Sequence, residues 1–301
     1  MTERFRALRE FLARERNRVD EALQGALADL GPLLPPHLAP AVEHGVMSGG
    51  KRLRPILCAT AYRSVGGEGE GIYRLAVALE LIHAYSLMHD DLPCMDDAEL
   101  RRGEPTTHAL HGERATVLSG ALLIPAAALQ IWRGAEAMGL DDARARQLVE
   151  ELTRAAGGGG MVGGQVLDLL GEESSLSPEE LDDLHRRKTG ALLRASLRMG
   201  GIAGGAPGEW LRALDRYGEA IGLAFQIADD LLDATSTAEA LGKKPSDSAL
   251  GKSTYVSLFG LERARRRARE LVEEGKNALE EAGLEAPELQ SLASYIVERE
   301  R

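Results

Sequence analysis

The sequence predicts an all-α protein of one domain, and three observations carry that expectation. The 301 residues are 44% hydrophobic but only 4% aromatic, with Ala, Leu, Glu and Arg abundant, a composition that favours helices over strands. Nearly every segment with a clear period has the helical one: Phe5, Leu8, Phe11 and Leu12 recur at i, i+3, i+6 and i+7. Turn residues fall between these segments, with no strand-like alternation, long linker or repeat period. Roughly ten packed helices in a single domain over residues 1–301 are expected, and the chain is long enough for one large core.

The elements follow in order. Breaks are expected at Gly31-Pro32 to Pro35-Pro36, Gly66 to Gly71, Gly103 to Pro105 and Gly204 to Gly208. Leu75, Val77, Ala78, Leu79, Leu81 and Ile82 make a helix apolar almost all round, which implies a central position. The apolar run from Gly120 to Trp132 is interrupted by Pro125 and falls short of the roughly 18 to 20 residues of a membrane span. It reads as a buried core helix. The run Gly157 to Gly160 with Gly163-Gly164 sits between helices and reads as a flexible or closely packed helix start. Ser177 and Pro178, followed by Glu179 and Glu180, form the N-cap and first turn of a helix running towards Gly190. Trp210 to about Asp233 is another helix. Leu261 to Ala282, charged on one face, is a surface helix.

The net charge of -11 argues against nucleic acid, since there is no basic excess to displace phosphate counterions. An acidic protein that takes an anionic substrate needs metal ions or a local cluster of Lys and Arg. Cys58 and Cys94 give neither a disulfide framework nor a zinc spacing. The start, Met1-Thr2-Glu3-Arg4, is charged where a signal peptide turns apolar. A soluble, cytoplasmic protein is the expectation.

Two acidic motifs stand out, Asp90-Asp91-Leu92-Pro93-Cys94-Met95-Asp96 and Asp229-Asp230-Leu231-Leu232-Asp233. On a helix, Asp229 and Asp233 lie about 40° apart in azimuth and about 6 Å apart along the axis. Ala224, Phe225, Ile227 and Ala228 precede them, and carboxylates in apolar surroundings need a cation. Hard oxygen ligands with room for water suit Mg²⁺. Asp90 and Asp96 would be about 240° apart on a straight helix and could not share an ion. Pro93 breaks the ladder and restricts Leu92, so the helix is expected to end there and let Asp96 fold back beside Asp90. Acidic clusters are usually solvated surface. Two such clusters, each following an apolar helix and each with basic residues nearby (Arg101-Arg102, Lys243-Lys244), argue against that reading.

Further motifs occur in a fixed order: Gly49-Gly50-Lys51-Arg52-Leu53-Arg54-Pro55; Leu81-Ile82-His83-Ala84-Tyr85-Ser86-Leu87-Met88-His89; Leu100-Arg101-Arg102-Gly103; Gly163-Gly164-Gln165; His185-Arg186-Arg187-Lys188-Thr189-Gly190; Phe225-Gln226; and Gly251-Lys252-Ser253-Thr254-Tyr255. From Val46 to Arg269 the chain thereby resembles the trans-type (head-to-tail) polyprenyl synthetase family, most of all its bacterial farnesyl diphosphate-forming members. The resemblance implies antiparallel helices around a deep central cavity, usually in a homodimer, with the two motifs facing each other across its mouth. Asp90, Asp96 and Asp229 would ligate three Mg²⁺ bridging the allylic diphosphate. Arg101, Lys188, Thr189, Gln226, Lys243 and Lys252 would contact or steer that diphosphate, and Gln165 and Asp168 would support the site. Lys51, Arg54, His83 and Arg102 would hold isopentenyl diphosphate. The implied reaction ionises the allylic C–O bond, so cations aimed at the leaving diphosphate lower the barrier. It needs no protein nucleophile.

The chain departs from the family in two places. Gly120-Ala121-Leu122 stands where Gly-Asp-Ala is usual, and the stretch from Lys243 to Asp247 is one residue short and lacks the usual Gly. Tyr85, five residues and about 7.5 Å along the axis before Asp90, is an aromatic at the position that resembles the C15-forming type. It favours a farnesyl product over geranylgeranyl.

Rival readings are weaker. Gly251-Lys252-Ser253-Thr254 suggests a phosphate-binding loop, but Ser246 stands where that loop needs Gly and no strand precedes it. The glycines before Gln165 have no βαβ context for a dinucleotide loop. A class I terpene cyclase would not need the Lys51/Arg54 cations, and a non-catalytic synthase subunit would usually have lost the aspartates. His83 alone would read as a buried core histidine; its motif raises it. His89 is expected only to pack or to bond nearby backbone.

Overall fold

A computed structural model describes residues 3–171, 175–235 and 253–298. Among these residues the helices are α1 (Glu3–Leu30), α2 (Ala39–Met47), α3 (Leu53–Ser64), α4 (Gly71–Asp90), α5 (Thr107–His111), α6 (Glu113–Ala137), α7 (Asp142–Ala156), α8 (Met161–Gly171), α9 (Pro178–His185), α10 (Ala191–Ala203), α11 (Gly208–Thr235), α12 (Tyr255–Phe259), α13 (Leu261–Glu281) and α14 (Pro287–Glu298). A π-helical turn, Arg186–Gly190, joins α9 to α10. The expected breaks at 31–36, 66–71 and 204–208 all separate helices. The fold is all-α, as expected. One detail differs: Leu100–Arg101 (β1) and Glu104–Pro105 (β2) form a two-stranded antiparallel hairpin. Two residues are too few to show alternation in a sequence.

The chain divides into two compact units, and each is described by itself. One comprises Arg9–Ala59 and Glu68–Val149. Its centre is α4, where Leu75, Val77, Leu79 and Leu81 are wholly buried, each worth about 1.5–3 kcal/mol relative to exposure. The all-round apolar pattern meant what it predicted. Helix α6 packs closely on α4: a Cβ at Gly134 would lie 2.6 Å from the Leu75 Cα, and one at Gly120 would lie 2.3 Å from the His89 ring.

Helix α6 corrects the sequence reading. It runs for 25 residues straight through Pro125, so it contains a window long and apolar enough to cross a membrane, of which 44% is buried. An internal proline removes one ladder hydrogen bond, but packing on α4 supports the helix on both sides of it. The inner face is core, as expected. The outer face is not: Val117, Leu118, Ile124 and Trp132 are exposed.

The second unit comprises Thr60–Gly67 and Glu150–Arg301 together with Met1–Leu8. Helix α11 is its spine. Tyr217, fully buried, donates from its hydroxyl to the Leu289 carbonyl at 2.7 Å, and Trp210 Nε1 donates to the Ala282 carbonyl at 3.2 Å. Helix α13 buries Ala264, Ala268, Leu271, Val272, Gly275, Ala278 and Leu279, a helical stripe that leaves its charged face to solvent, as expected.

Candidate active site

The first aspartate motif lies at the C-terminus of α4. The helix ends at Asp90, and Leu92 N–H bonds to the His89 carbonyl at 3.1 Å. The chain then reverses: Asp96 N–H donates to the Asp90 carbonyl at 2.9 Å, and Asp97, at φ 46°, donates to Leu92 O at 3.1 Å. The fold-back expected from Pro93 is present, and it puts Asp90 and Asp96 on one turn.

Asp91 has a different task. It is buried, and Arg101 donates Nε to both its oxygens at 2.8 and 2.9 Å, with Nη2 at 2.6 Å from Oδ1. Arg101 sits on β1. The hairpin turn Arg102-Gly103 has φ of 57° and 85°, the pair of positive values that a two-residue type I′ turn requires. The turn aims Arg102 back at the Gly49 carbonyl, to which its Nη1 donates. Gly50 beside it has φ 139°, a conformation that L side chains rarely adopt, so glycine suits this position.

Arg54, Arg102, Arg101 and Arg52 all act electrostatically on His83. Burial, reinforced by those cations, holds the His83 imidazole well below its ordinary value, so it is neutral at pH 7 and can donate a hydrogen bond to an anion without adding charge. Burial also lowers Arg54 and Arg102, with Glu80 opposing the shift in both. The predicted Arg54, His83 and Arg102 are thus brought together, with Lys51 in the loop that leads into the first turn of α3, where Arg54 lies. His89 behaves as expected: its Nε2 lies 3.1 Å from the Val117 carbonyl. Tyr85 stands one turn earlier, edge-on to the His89 ring at 5.0 Å. Burial, then the Asp90 charge, raises its phenol.

The second unit carries the other group. The expected N-cap of α9 is a full capping box, with Ser177 Oγ accepting from Glu180 N at 3.2 Å and Ser177 N donating to Glu180 at 2.8 Å. Beyond His185 the helix widens into the π-turn, a feature common at functional sites. That turn presents Lys188 to Asp168 at 2.5 Å and Thr189 to Gln226, hydroxyl to Oε1, at 2.9 Å. The glycine-rich start of α8 is closely packed: a Cβ at Gly164 would lie 2.1 Å from Lys188 N.

On α11, Asp229 and Asp233 are half-buried on adjacent turns. Asp230 is buried and accepts Tyr255 N–H at 2.8 Å, capping α12, with His185 Nε2 at 3.7 Å. The His185 ring stacks on Tyr255, whose hydroxyl donates to Asp182. Lys243 and Lys252 lie outside the described residues.

The donor set fits Mg²⁺. Among the described residues no three acidic, His or Cys side chains form a ready-made cage. Asp90 and Asp96 instead offer hard oxygens on one solvent-facing turn. Mg²⁺ is commonly held in this way, by one or two carboxylates plus substrate phosphates and waters.

Sequence reasoning missed the inward turn of Asp91 and Asp230, and it passed over Glu80 and Arg52. The signal for Glu80 was available: it is a lone carboxylate one turn before His83 on an otherwise apolar helix.

The chain is thus an all-α protein with two helix-borne aspartate motifs, the first of them paired with Arg101. Residues 35–287 match the sequence model of the polyprenyl synthetase family, and the chain belongs to that family. It is 42% identical to the farnesyl diphosphate synthase of Escherichia coli K12 over 291 residues, covering 94% of this chain and 97% of that protein. It is also 42% identical to the chloroplastic geranylgeranyl pyrophosphate synthase of Capsicum annuum, covering 86% of this chain and 71% of that protein. The solved geranylgeranyl pyrophosphate synthetase of Pyrococcus horikoshii matches with a TM-score of 0.85 at 30% identity, covering 99% of this chain and all of that one.

Proposed function

We propose that this protein is a prenyltransferase that condenses isopentenyl diphosphate head to tail with an allylic diphosphate to make farnesyl diphosphate. One observation carries the reading. Within a single unit lie both the Asp90/Asp96 turn with Arg101 and a distinct cluster of Lys51 and Arg54 at the start of α3, His83 on α4 and Arg102 on the hairpin. Two anion-binding groups beside one apolar helix suit an enzyme with two diphosphate substrates; a cyclase needs one.

In this reading Arg54, Arg102 and Lys51 bind isopentenyl diphosphate, and neutral His83 donates to it. Arg101, oriented by Asp91, faces the allylic diphosphate at the Asp90/Asp96 turn. On the family resemblance Lys188, Thr189 and Gln226, with Asp168 aiming Lys188, and also Lys243 and Lys252, take the same diphosphate. Asp90 and Asp96 would hold Mg²⁺, joined by Asp229 on the family resemblance, and the ion would supply positive charge to the leaving diphosphate. The apolar wall of α4 keeps water from the allylic cation. Isopentenyl diphosphate then attacks with its double bond, the released diphosphate takes the proton lost from the condensed cation, and the protein supplies no nucleophile. The single-domain reading rests on the family match spanning both units, and a second copy of the chain suits the exposed apolar face of α6.

The product length follows from Tyr85. The farnesyl and geranylgeranyl relatives are both 42% identical to this chain over the matched residues, so identity alone does not separate them. A bulky half-buried ring one turn before Asp90 favours the shorter product. Incubation with isopentenyl diphosphate, dimethylallyl or geranyl diphosphate and Mg²⁺ should release diphosphate and give a C15 product. No condensation over a range of allylic primers would sink the reading, and a C20 product would sink its chain-length part.

A further inference from the structure

Arg52 lies between two of the cations assigned to isopentenyl diphosphate, yet its own side chain is turned into the core and is 4% exposed. Its Nη1 donates to Glu80 Oε1 at 2.9 Å and its Nε to Asp20 Oδ1 at 2.8 Å. Its backbone is left-handed, at φ 50°, a region that non-glycine residues avoid unless their surroundings hold them there. The Arg52 carbonyl accepts Ile56 N–H at 3.2 Å, so the first turn of α3 hangs from the same residue. Lys51 and Arg54 flank this fixed point.

Glu80 is equally buried, at 4% exposure. It precedes His83 by three residues, on the same face of α4. Its second oxygen and the Nε of Arg54 are buried without a hydrogen-bond partner among the described residues. Its charge acts on Arg54 and Arg102 as well as on Arg52.

We infer that Glu80 is a positioning residue for isopentenyl diphosphate: through Arg52 it locks the strained loop that places Lys51 and Arg54. The inference rests on the assignment of that cation cluster to the non-allylic substrate. It also competes with a simpler role. A carboxylate amid three arginines weakens the local positive field, so by charge alone its removal strengthens the binding of a diphosphate. Positioning has the opposite sign: an Arg52 that has lost its partner releases the loop, and the cations no longer converge.

The experiment is steady-state kinetics of the full chain with Glu80→Gln, Arg52→Lys and the double variant. The KM for each substrate and kcat are read separately, and isopentenyl diphosphate binding is titrated directly. Glu80→Gln keeps shape and loses charge; Arg52→Lys keeps charge and loses the fork that spans both carboxylates. Each should raise the KM and the Kd for isopentenyl diphosphate about 10- to 100-fold, the range for losing a residue that supports a metal ligand, applied here to one that supports a diphosphate-binding cation. The allylic KM should move less than about threefold, and the double variant should be no worse than the weaker single, because both act through one contact. An unchanged or lowered KM for isopentenyl diphosphate in folded Glu80→Gln overturns the inference. If Glu80→Gln does not fold, the milder Arg52→Lys decides alone, by the same KM split. A wild type that binds no isopentenyl diphosphate refutes the functional assignment itself, whereas tight wild-type binding with unaltered variants refutes only the positioning role.

Discussion

Asp91 and Arg101 form a forked ion pair, with the Arg101 Nε 2.8 and 2.9 Å from the two carboxylate oxygens, and the pair separates the roles of adjacent aspartates. Asp90 stays on the open turn with Asp96 while Asp91 points inward. Losing one partner of a buried pair leaves an uncompensated charge, at a cost of about 3–5 kcal/mol; Arg101 is partly exposed, so the lower end applies. Asp91→Asn should therefore lower the urea midpoint by an amount equivalent to about 3 kcal/mol. It should also weaken allylic substrate binding, because Arg101 loses its orientation. Urea unfolding at unchanged m-value, paired with the allylic KM, checks both.

Asp90→Asn and Asp96→Asn should behave differently. Neither carboxylate is buried like Asp91, so stability should hardly change. Each should lose about 10²–10³-fold in kcat, the scale for removing one group that stabilises developing charge. Chelation by EDTA should abolish turnover of the wild type, and added Mg²⁺ should restore it. Full activity in excess EDTA would remove the metal from the mechanism.

Tyr85→Ala removes the ring beside His89. If that ring forms the floor that stops the growing chain, the variant should make products longer than C15, read by chromatography of the dephosphorylated alcohols. Pocket volume discriminates chain length only by differential fit, a few kcal/mol at most, so a mixture is expected. An unchanged C15 profile would discard Tyr85 as the floor.

Leu118→Asp or Ile124→Asp places a charge on the exposed apolar face of α6. If a second copy covers that face, either change should convert a dimer to a monomer, visible by sedimentation velocity. A wild type that sediments as a monomer would refute the pairing.

Acid should destabilise the protein through His83. Its folded-state value lies well below the ordinary 6.5, so the unfolded chain binds the extra proton. Stability then rises with pH up to about 6.5 and is lost as pH falls below it. His44, lowered first by burial and then by the neighbouring His111, adds the same sign. Melting temperatures measured between pH 5 and pH 8 should rise with pH, and His83→Gln should flatten part of that slope. An unaltered slope would show that His83 titrates normally in the folded chain.

Local chemistry was legible in the residues. The apolar pattern of α4 announced a central helix, Ser177-Pro178 with Glu180 announced a capping box, and Pro93 announced the reversal that joins Asp96 to Asp90. Each depends on neighbours within one or two turns of chain. Helix α6 misled because an internal proline was weighed without the packing that supports it, and a two-residue hairpin leaves no periodic trace.

The sequence by itself determined the fold class, the turn that returns Asp96 to Asp90 and the order of the cationic motifs, because backbone geometry and helical period are short-range. Only the tertiary structure decided what the middle aspartates and the lone glutamate do. Asp91 finds Arg101 on a hairpin, Asp230 finds the amide of Tyr255, and Glu80 finds Arg52 across a loop and a helix. Those partners lie 10, 25 and 28 residues away. A buried charge takes whichever partner folding brings to it, and no periodicity in the chain records that choice.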